Sequence, residues 1–404
     1  MTTSRLGVPA LLIALLVSAP TAAASPFGVP QVQVAGSSLG SAPVFHPGAP
    51  VPVPFTPDYL VGYVSDVSSH GLLTYHDVTA GFTALRANEE LMARNLELTL
   101  AANNSATPEL IARAQLDSAA DSEGLLFALS DALGPELGAA MRDALAEKRL
   151  PKTEFLLGNG YSARAGGLAS SLVFDKILHG YPRPFEVAPG SLVRHDLPGY
   201  QFYDSAGESR SFPSGHANQA VWVSTLLGLM LPELGPQILA RGADSGYHRV
   251  VMGVHFPLDV VGGRMTGTAA AADRWNDPKM RDAPQQAAEE LRAELEWRTG
   301  RPLAPVPADA AVERYSGHLT FGLPPVGEVG APMIVPPAAP DLLLAHHPGL
   351  TYRQRAEVLR QTALPSGGPL DDPGPAGSWQ RLNLAAAWVA EVSVEPDGSV
   401  SAES

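Results

Sequence analysis

The chain has 404 residues, with 27 Lys and Arg against 41 Asp and Glu, a formal net charge of −14, 39 Gly, 38 Pro and no cysteine. The missing cysteine excludes disulfide staples, a thiol nucleophile and Cys-ligated metal, so packing must hold the fold together. The acidic balance, with no local run of Lys or Arg to offset it, argues against a nucleic-acid partner and an anionic-membrane surface; an anionic ligand would need a few cations gathered in one pocket.

In chain order, residues 1–24 have a charged Arg5, the apolar run "LGVPALLIALLV" and the small residues of "APTAAAS". This is the pattern of a cleavable signal peptide, with cleavage expected after Ala24 and the mature protein secreted or periplasmic. Later segments fall short of a membrane span, which needs about 18 uninterrupted apolar residues; the run "AVWVSTLLGLML" ends at Pro232. Residues 25–57 are rich in Pro and Gly without helical period and read as an extended arm.

Residues 58–300 are predicted to form a helical domain. "GFTALRANEELMARNLELTLAA" repeats apolar residues at three- and four-residue spacing, "TPELIARAQL" opens with a capping Thr and a first-turn Pro, and "SEGLLFALSDALG", "PELGAAMRDALAEKRL" and "PQQAAEELRAELEWRTG" continue in kind. Sustained apolar and polar alternation is missing, so the expected architecture is an all-α helical bundle with proline-rich flanking segments. Residues 301–404 read as an extension: surface loop over 301–348, a helix from the capping box of Thr351 and Gln354 with Gly367 as its stop, a last docked helix in "SWQRLNLAAAWVAEV", and a frayed tail in "EPDGSVSAES".

Three stretches inside the helical domain carry residues with chemistry. "SFPSGH" precedes a long apolar run, so Ser211 is expected to cap a helix with Pro213 in its first turn. Ser214, Gly215 and His216 would then present backbone N–H groups at the positive helix end, a seat for a phosphate. "DKILHGYPRPF" ends a helix at prolines and leaves Arg183 in extended backbone, where it can converge with Lys176 on one tetrahedral anion. "HRVVMGVHFPLDVVGG" places His255 ahead of a helix starting at Pro257 and Asp259 in its first turn; a carboxylate on one ring nitrogen fixes the tautomer and frees the other to attack an electrophile. Each piece also has a plain structural reading: a solvated cationic helix end, a capped helix with a buried histidine, and a helix-terminal charge beside a core histidine.

Taken together, K(x6)RP at 176–184, PSGH at 213–216 and R(x5)H(x3)D at 249–259 resemble the three-part signature of the phosphatidic acid phosphatase type 2 superfamily, over about residues 150–275. Within it the exported class A bacterial acid phosphatases are the nearest comparison, and vanadium haloperoxidases share the site. The resemblance implies a helical bundle of that type and metal-independent hydrolysis of small-molecule phosphate monoesters. It makes His255 the nucleophile, Asp259 its orienting carboxylate and His216 the general acid and base. Lys176, Arg183, Ser214, Gly215 and Arg249 would hold the phosphate. No cofactor is implied, unless the protein is a haloperoxidase, which would bind vanadate. A lipid phosphatase and a non-catalytic phosphate-binding protein are also compatible with the motifs. The family usually has serine before the arginine of its third motif, whereas this sequence has His248, and His179 inside the first motif reads as a spacer.

Overall fold

The structure, a computed structural model, describes residues 42–403 apart from 61, 64, 66–73, 121–123, 159–162, 167–171 and 204–209. The expected signal peptide and the first part of the arm lie outside the described residues. Ahead of the motifs run α1 (Thr74–Thr79), α2 (Phe82–Leu85), α3 (Glu89–Asn104), α4 (Pro108–Ser118), α5 (Leu125–Leu129), α6 (Pro135–Ala146) and α7 (Pro151–Leu157). The motifs lie on and between α8 (Val173–His179), α9 (Pro184–Val187), α10 (Gly215–Met230), α11 (Gly235–Val251) and α12 (Pro257–Asn276). Then follow α13 (Pro278–Thr299), α14 (Asp309–Thr320), α15 (Tyr352–Gln361) and α16 (Leu384–Val389). The all-α expectation holds for the body of the protein.

Several of these starts are written in the sequence as caps. Thr107 accepts the N–H of Leu110 ahead of Pro108, Asn88 accepts that of Leu91, and Asp277 accepts those of Lys279 and Met280 ahead of Pro278. Each side chain satisfies donors that the first helical turn cannot use. At the far end of α13, Gly300 takes a left-handed conformation with φ 68° and closes the helix.

At the centre α10, largely apolar on every face, packs between α11 and α12, which is why nearly every one of its side chains is buried, the polar Asn218, Gln219, Ser224 and Thr225 included. The three helices approach where side chains are missing. A Cβ on Gly242 of α11 would lie 2.1 Å from Ser224 Oγ, and one on Gly263 of α12 would lie 2.4 Å from the Ser214 carbonyl oxygen. The second contact draws α12 against the very start of α10. Among the described residues no helix is long and apolar enough to cross a membrane.

The described part of the arm, from residue 42, is extended and fastened to the bundle. The buried Arg149 forms a two-pronged ion pair with Glu294 of α13 at 2.6 and 2.9 Å, and its remaining donors reach the carbonyls of Val44 and Pro50 at 2.8 and 2.7 Å.

Three expectations for the C-terminal segment need correction. Residues 309–320, expected to be loop, form α14, whose Ala311, Tyr315 and Leu319 are buried at helical spacing; the flanking prolines obscured that stripe. Helix α15 has the predicted capping box but ends at Gln361, well before Gly367. Gly367, at φ 86°, instead brings its carbonyl to the N–H groups of Val326 and Gly327. The tail is a hairpin: β1 (Glu391–Val394) pairs antiparallel with β2 (Val400–Glu403), Val394 opposite Val400. Its turn contains Asp397 and Gly398, the dipeptide that favours a tight reversal between short strands, with Gly398 at φ 85°. The segment is sewn to the bundle by the buried Arg264 of α12, which donates to the carbonyl of Gln380 at 2.8 Å, and by the stacked rings of His346 and Trp388, 4.1 Å apart between centroids, which lie so close to Gly228 of α10 and Gly235 of α11 that a Cβ there would meet them at 2.6 and 2.7 Å.

Burial lowers the His346 imidazole to about 3 from an ordinary value of 6.5. In the unfolded chain that ring would take up a proton first, so its contribution to stability is complete above pH 6.5 and is lost as pH falls towards 3. The loss runs at about 1.4 kcal/mol per pH unit in that window. Replacing it by His346→Phe, which keeps a ring on Trp388, is expected to flatten the fall of Tm between pH 6.5 and 4, measured by calorimetry.

Candidate active site

The site is assembled at the N-terminal ends of α10 and α12, with α8 and the extended segment after it alongside. Helix α8 stops at Gly180, in a left-handed conformation at φ 55°. Beyond it Arg183, between two prolines, has φ −81° and ψ 158°, the extended backbone its flanks require. The N–H of Ser211 bonds to the carbonyl of Tyr181 at 2.8 Å, laying the second motif beside the first.

Helix α10 begins three residues later than its sequence suggests. Ser214, not Ser211, is the N-cap, its Oγ accepting the N–H of Ala217 at 3.3 Å, and Pro213 precedes the helix. Ser211 is otherwise engaged, its hydroxyl donating to Asp259 Oδ2. The expected phosphate seat is also narrower: the Ser214 N–H donates to the Asp259 carbonyl at 2.9 Å. The first-turn donors left to the seat are those of Gly215 and His216.

His255 and Asp259 meet as the spacing predicts. His255 Nδ1 lies 3.2 Å from Asp259 Oδ2, and the same oxygen accepts the N–H of Phe256 at 2.8 Å. On the other side of the ring, Arg183 Nη1 lies 3.2 Å from His255 Nε2. A guanidinium can only donate, so Nε2 must be the acceptor and Nδ1 must carry the proton towards Asp259. This is the tautomer that leaves Nε2 nucleophilic.

The electrostatics agree with that reading of the ring. Burial, followed by the nearby charges of Arg183, Lys176, Arg249 and His216, lowers His255 well below the usual imidazole range and keeps it neutral. Burial raises the Asp259 carboxyl to about 6, although the Ser211 hydroxyl, the Phe256 N–H, Lys176 and Arg183 all pull the other way. Lys176 is lowered well below its ordinary value by burial and then by Arg183; its ammonium donates to the carbonyls of Arg210 and Ser211 at 2.8 and 3.3 Å. Burial brings Arg183 down to about 10 while Asp259 and Glu186 oppose the change; its Nη1 also donates to the Val254 carbonyl at 2.7 Å. Three cations and two imidazoles therefore share one neighbourhood, suited to a multiply charged oxyanion. All eight residues selected from the sequence lie around this point.

The supports behind this cluster were not legible in the motifs. Arg249 donates to Ser118 Oγ at the end of α4. His248, which replaces the usual serine, puts Nδ1 2.6 Å from Asp117 Oδ2, and Arg241 grips the same carboxylate with two bonds of 2.9 and 2.5 Å. Burial alone would raise Asp117, but the His248 contact and the Arg241 charge outweigh it and hold the carboxyl well below the usual carboxylate range. The available signal was positional: Asp117 and Ser118 follow Ala114 on the buried stripe of α4, where a lone carboxylate demands a partner. His179, the spacer of the first motif, is a packing residue: it is buried with its ring edge-on to Phe212 at 4.9 Å and to Phe82 at 5.5 Å.

Residues 156–281, which hold all three motifs, match the family model described as PAP2 superfamily. Around this segment the chain is similar to a non-specific acid phosphatase of Providencia stuartii, at 29% identity over 148 residues covering 36% of this chain and 56% of that protein. It is similar to a non-specific acid phosphatase of Salmonella typhi at 31% over 81 residues, 20% of this chain and 32% of that protein. An acid phosphatase of Zymomonas mobilis subsp. mobilis matches at 31% over 88 residues, 22% and 33% of the two chains. The chain spans between about a third and just over half the length of these relatives. The superfamily expected from the motifs is thus the one matched, and helices α14 to α16 and the hairpin lie outside the PAP2 segment.

Substituting Asp117→Ala would leave Arg241 and His248 buried without their anion. The expected cost is about 3–5 kcal/mol of unfolding free energy, measured by urea denaturation. Asp117→Asn, which keeps the shape and one acceptor, is expected to lose less.

Proposed function

We propose that this protein is an exported phosphatase that hydrolyses small-molecule phosphate monoesters through a phosphohistidine at His255. The observation that carries the reading is the setting of that ring, with one nitrogen towards Asp259 and the other facing Arg183 within the field of Lys176 and Arg249. The names of the similar proteins, all acid phosphatases, support the class of reaction, and the leader pattern of residues 1–24 supports export.

In the first step the Nε2 lone pair attacks phosphorus in line, the bond from phosphorus to the ester oxygen breaks, and His216 gives its proton to the departing oxygen. In the second, His216 takes a proton from water, the water oxygen attacks phosphorus, and the P–N bond breaks to release inorganic phosphate. Arg183 must exchange its contact with Nε2 for a phosphate oxygen before attack, which couples substrate binding to unmasking of the nucleophile. Lys176 uses donors on two carbonyls and has a third for the phosphate. Fixed cations and helix-end amides supply the charge stabilisation that a metal provides in other phosphoryl transferases, so the proposed cycle needs no cofactor. Nucleotides, sugar phosphates, phytate and phosphorylated lipid headgroups all offer the required monoester.

With a chromogenic phosphate ester, His255→Ala is expected to lower kcat by roughly 10³–10⁶, and wild-type protein quenched during turnover of a radiolabelled ester is expected to carry acid-labile label. Vanadate, which adopts the five-coordinate geometry of the transferring group, is expected to inhibit. Halide oxidation with vanadate and peroxide in the absence of ester hydrolysis would overturn the phosphatase reading in favour of a haloperoxidase.

The rate should be bell-shaped in pH and peak on the acid side of neutral. The acid limb reflects protonation of Asp259 around its value of about 6. A profile that climbs steadily into alkaline pH contradicts these roles.

A further inference from the structure

We propose that His76, Asp175 and His179 bind one divalent transition-metal ion of the zinc type, which clamps α1 to α8. Among the described residues this trio brings two ring nitrogens and a carboxylate oxygen within 4.8 Å of one another. Asp175 and His179 stand one helical turn apart on the same face of α8, and His76 reaches them from α1. The proposal is independent of the phosphatase reading.

The geometry is close to that of a metal's ligand shell. Zinc bonds to nitrogen and oxygen of about 2.0–2.2 Å at tetrahedral angles place neighbouring ligand atoms about 3.4 Å apart. His76 Nδ1 and Asp175 Oδ1 are separated by 3.4 Å. Both atoms are buried and neither makes a hydrogen bond, so the contact lacks the alignment of an ordinary His–Asp pair. Asp175 is 2% exposed and His179 3%. A buried carboxylate oxygen without a donor is costly. An ion at the centre of the trio would satisfy that oxygen and two imidazoles together.

Two imidazoles and one carboxylate suit zinc and related divalent ions, with a fourth position for water. Phe82 and Phe212 wall the His179 side of the trio, and His76 packs against His179 at 5.1 Å between ring centroids. Lys176, the next residue after Asp175, turns instead to the carbonyls of Arg210 and Ser211. The ion would thus fix the helix that carries Lys176 without entering the phosphate pocket.

The test uses the full chain, tag-free and stripped with a chelator. Calorimetric titration with Zn²⁺ is expected to show one equivalent bound and a raised Tm. Loading with Co²⁺ is expected to give the visible absorption of a four-coordinate nitrogen and oxygen site. His76→Gln, at the most exposed of the three positions, and Asp175→Asn, which keeps the side-chain shape, are each expected to weaken binding by more than the roughly 10–100-fold that loss of an outer partner costs. Absence of binding to the wild type, a six-coordinate cobalt spectrum, or unchanged binding in both variants would overturn the proposal.

Discussion

Asp259 holds two distant stretches of chain in one frame. Its Oδ2 accepts the Ser211 hydroxyl, the Phe256 N–H and the His255 ring, while its backbone carbonyl accepts the Ser214 N–H. The first turn of α12 is thereby bonded to the loop and cap that start α10, and Gly263 permits the backbone contact that this requires. Because Ser211 is in turn bonded to Tyr181, the segment carrying Arg183 falls into the same frame. Remove that carboxylate and three motifs lose their common reference point, whatever the chemistry performed there.

The bundle and the site were legible to different depths. Apolar spacing and caps such as Thr107, Asp277 and the Thr351–Gln354 box announce helices because these are local rules, satisfied within a few residues. The pairing of His255 with Asp259 was readable for the same reason, since a helix start at Pro257 puts them within reach. Partners far apart in sequence were not. Nothing local to Ser211 tells a cap from a carboxylate donor, and the bond from Ser214 to the Asp259 carbonyl, which narrows the anion seat, exists only after α10 and α12 have packed. The hairpin at the end of the chain escaped because its strands are too short for alternation to register, although Asp397 and Gly398 carried the turn signal.

His248 illustrates how a departure from a family pattern can be absorbed. An imidazole is larger than a serine side chain and brings its own polar atoms into a buried place. The structure meets that demand with Asp117, itself held by Arg241, while Ser118, the next residue on α4, supports Arg249. A single turn of helix outside the PAP2 segment therefore braces two adjacent residues of the third motif. The C-terminal segment is integrated in the same manner, through Arg264 and through Trp388 packed against Gly228 and Gly235, so the parts beyond the matched segment belong to the architecture that shapes it.

The contrast between an acidic chain and a cationic pocket bears on how an anion arrives. At long range an oxyanion meets a molecule of net charge −14; close to the site it meets Lys176, Arg183 and Arg249. Screening acts over about 8 Å in physiological salt, so added electrolyte weakens the distant repulsion more than the attraction of buried, poorly screened cations. Encounter with a charged ligand should therefore quicken as ionic strength rises from very low values, the reverse of ordinary electrostatic steering.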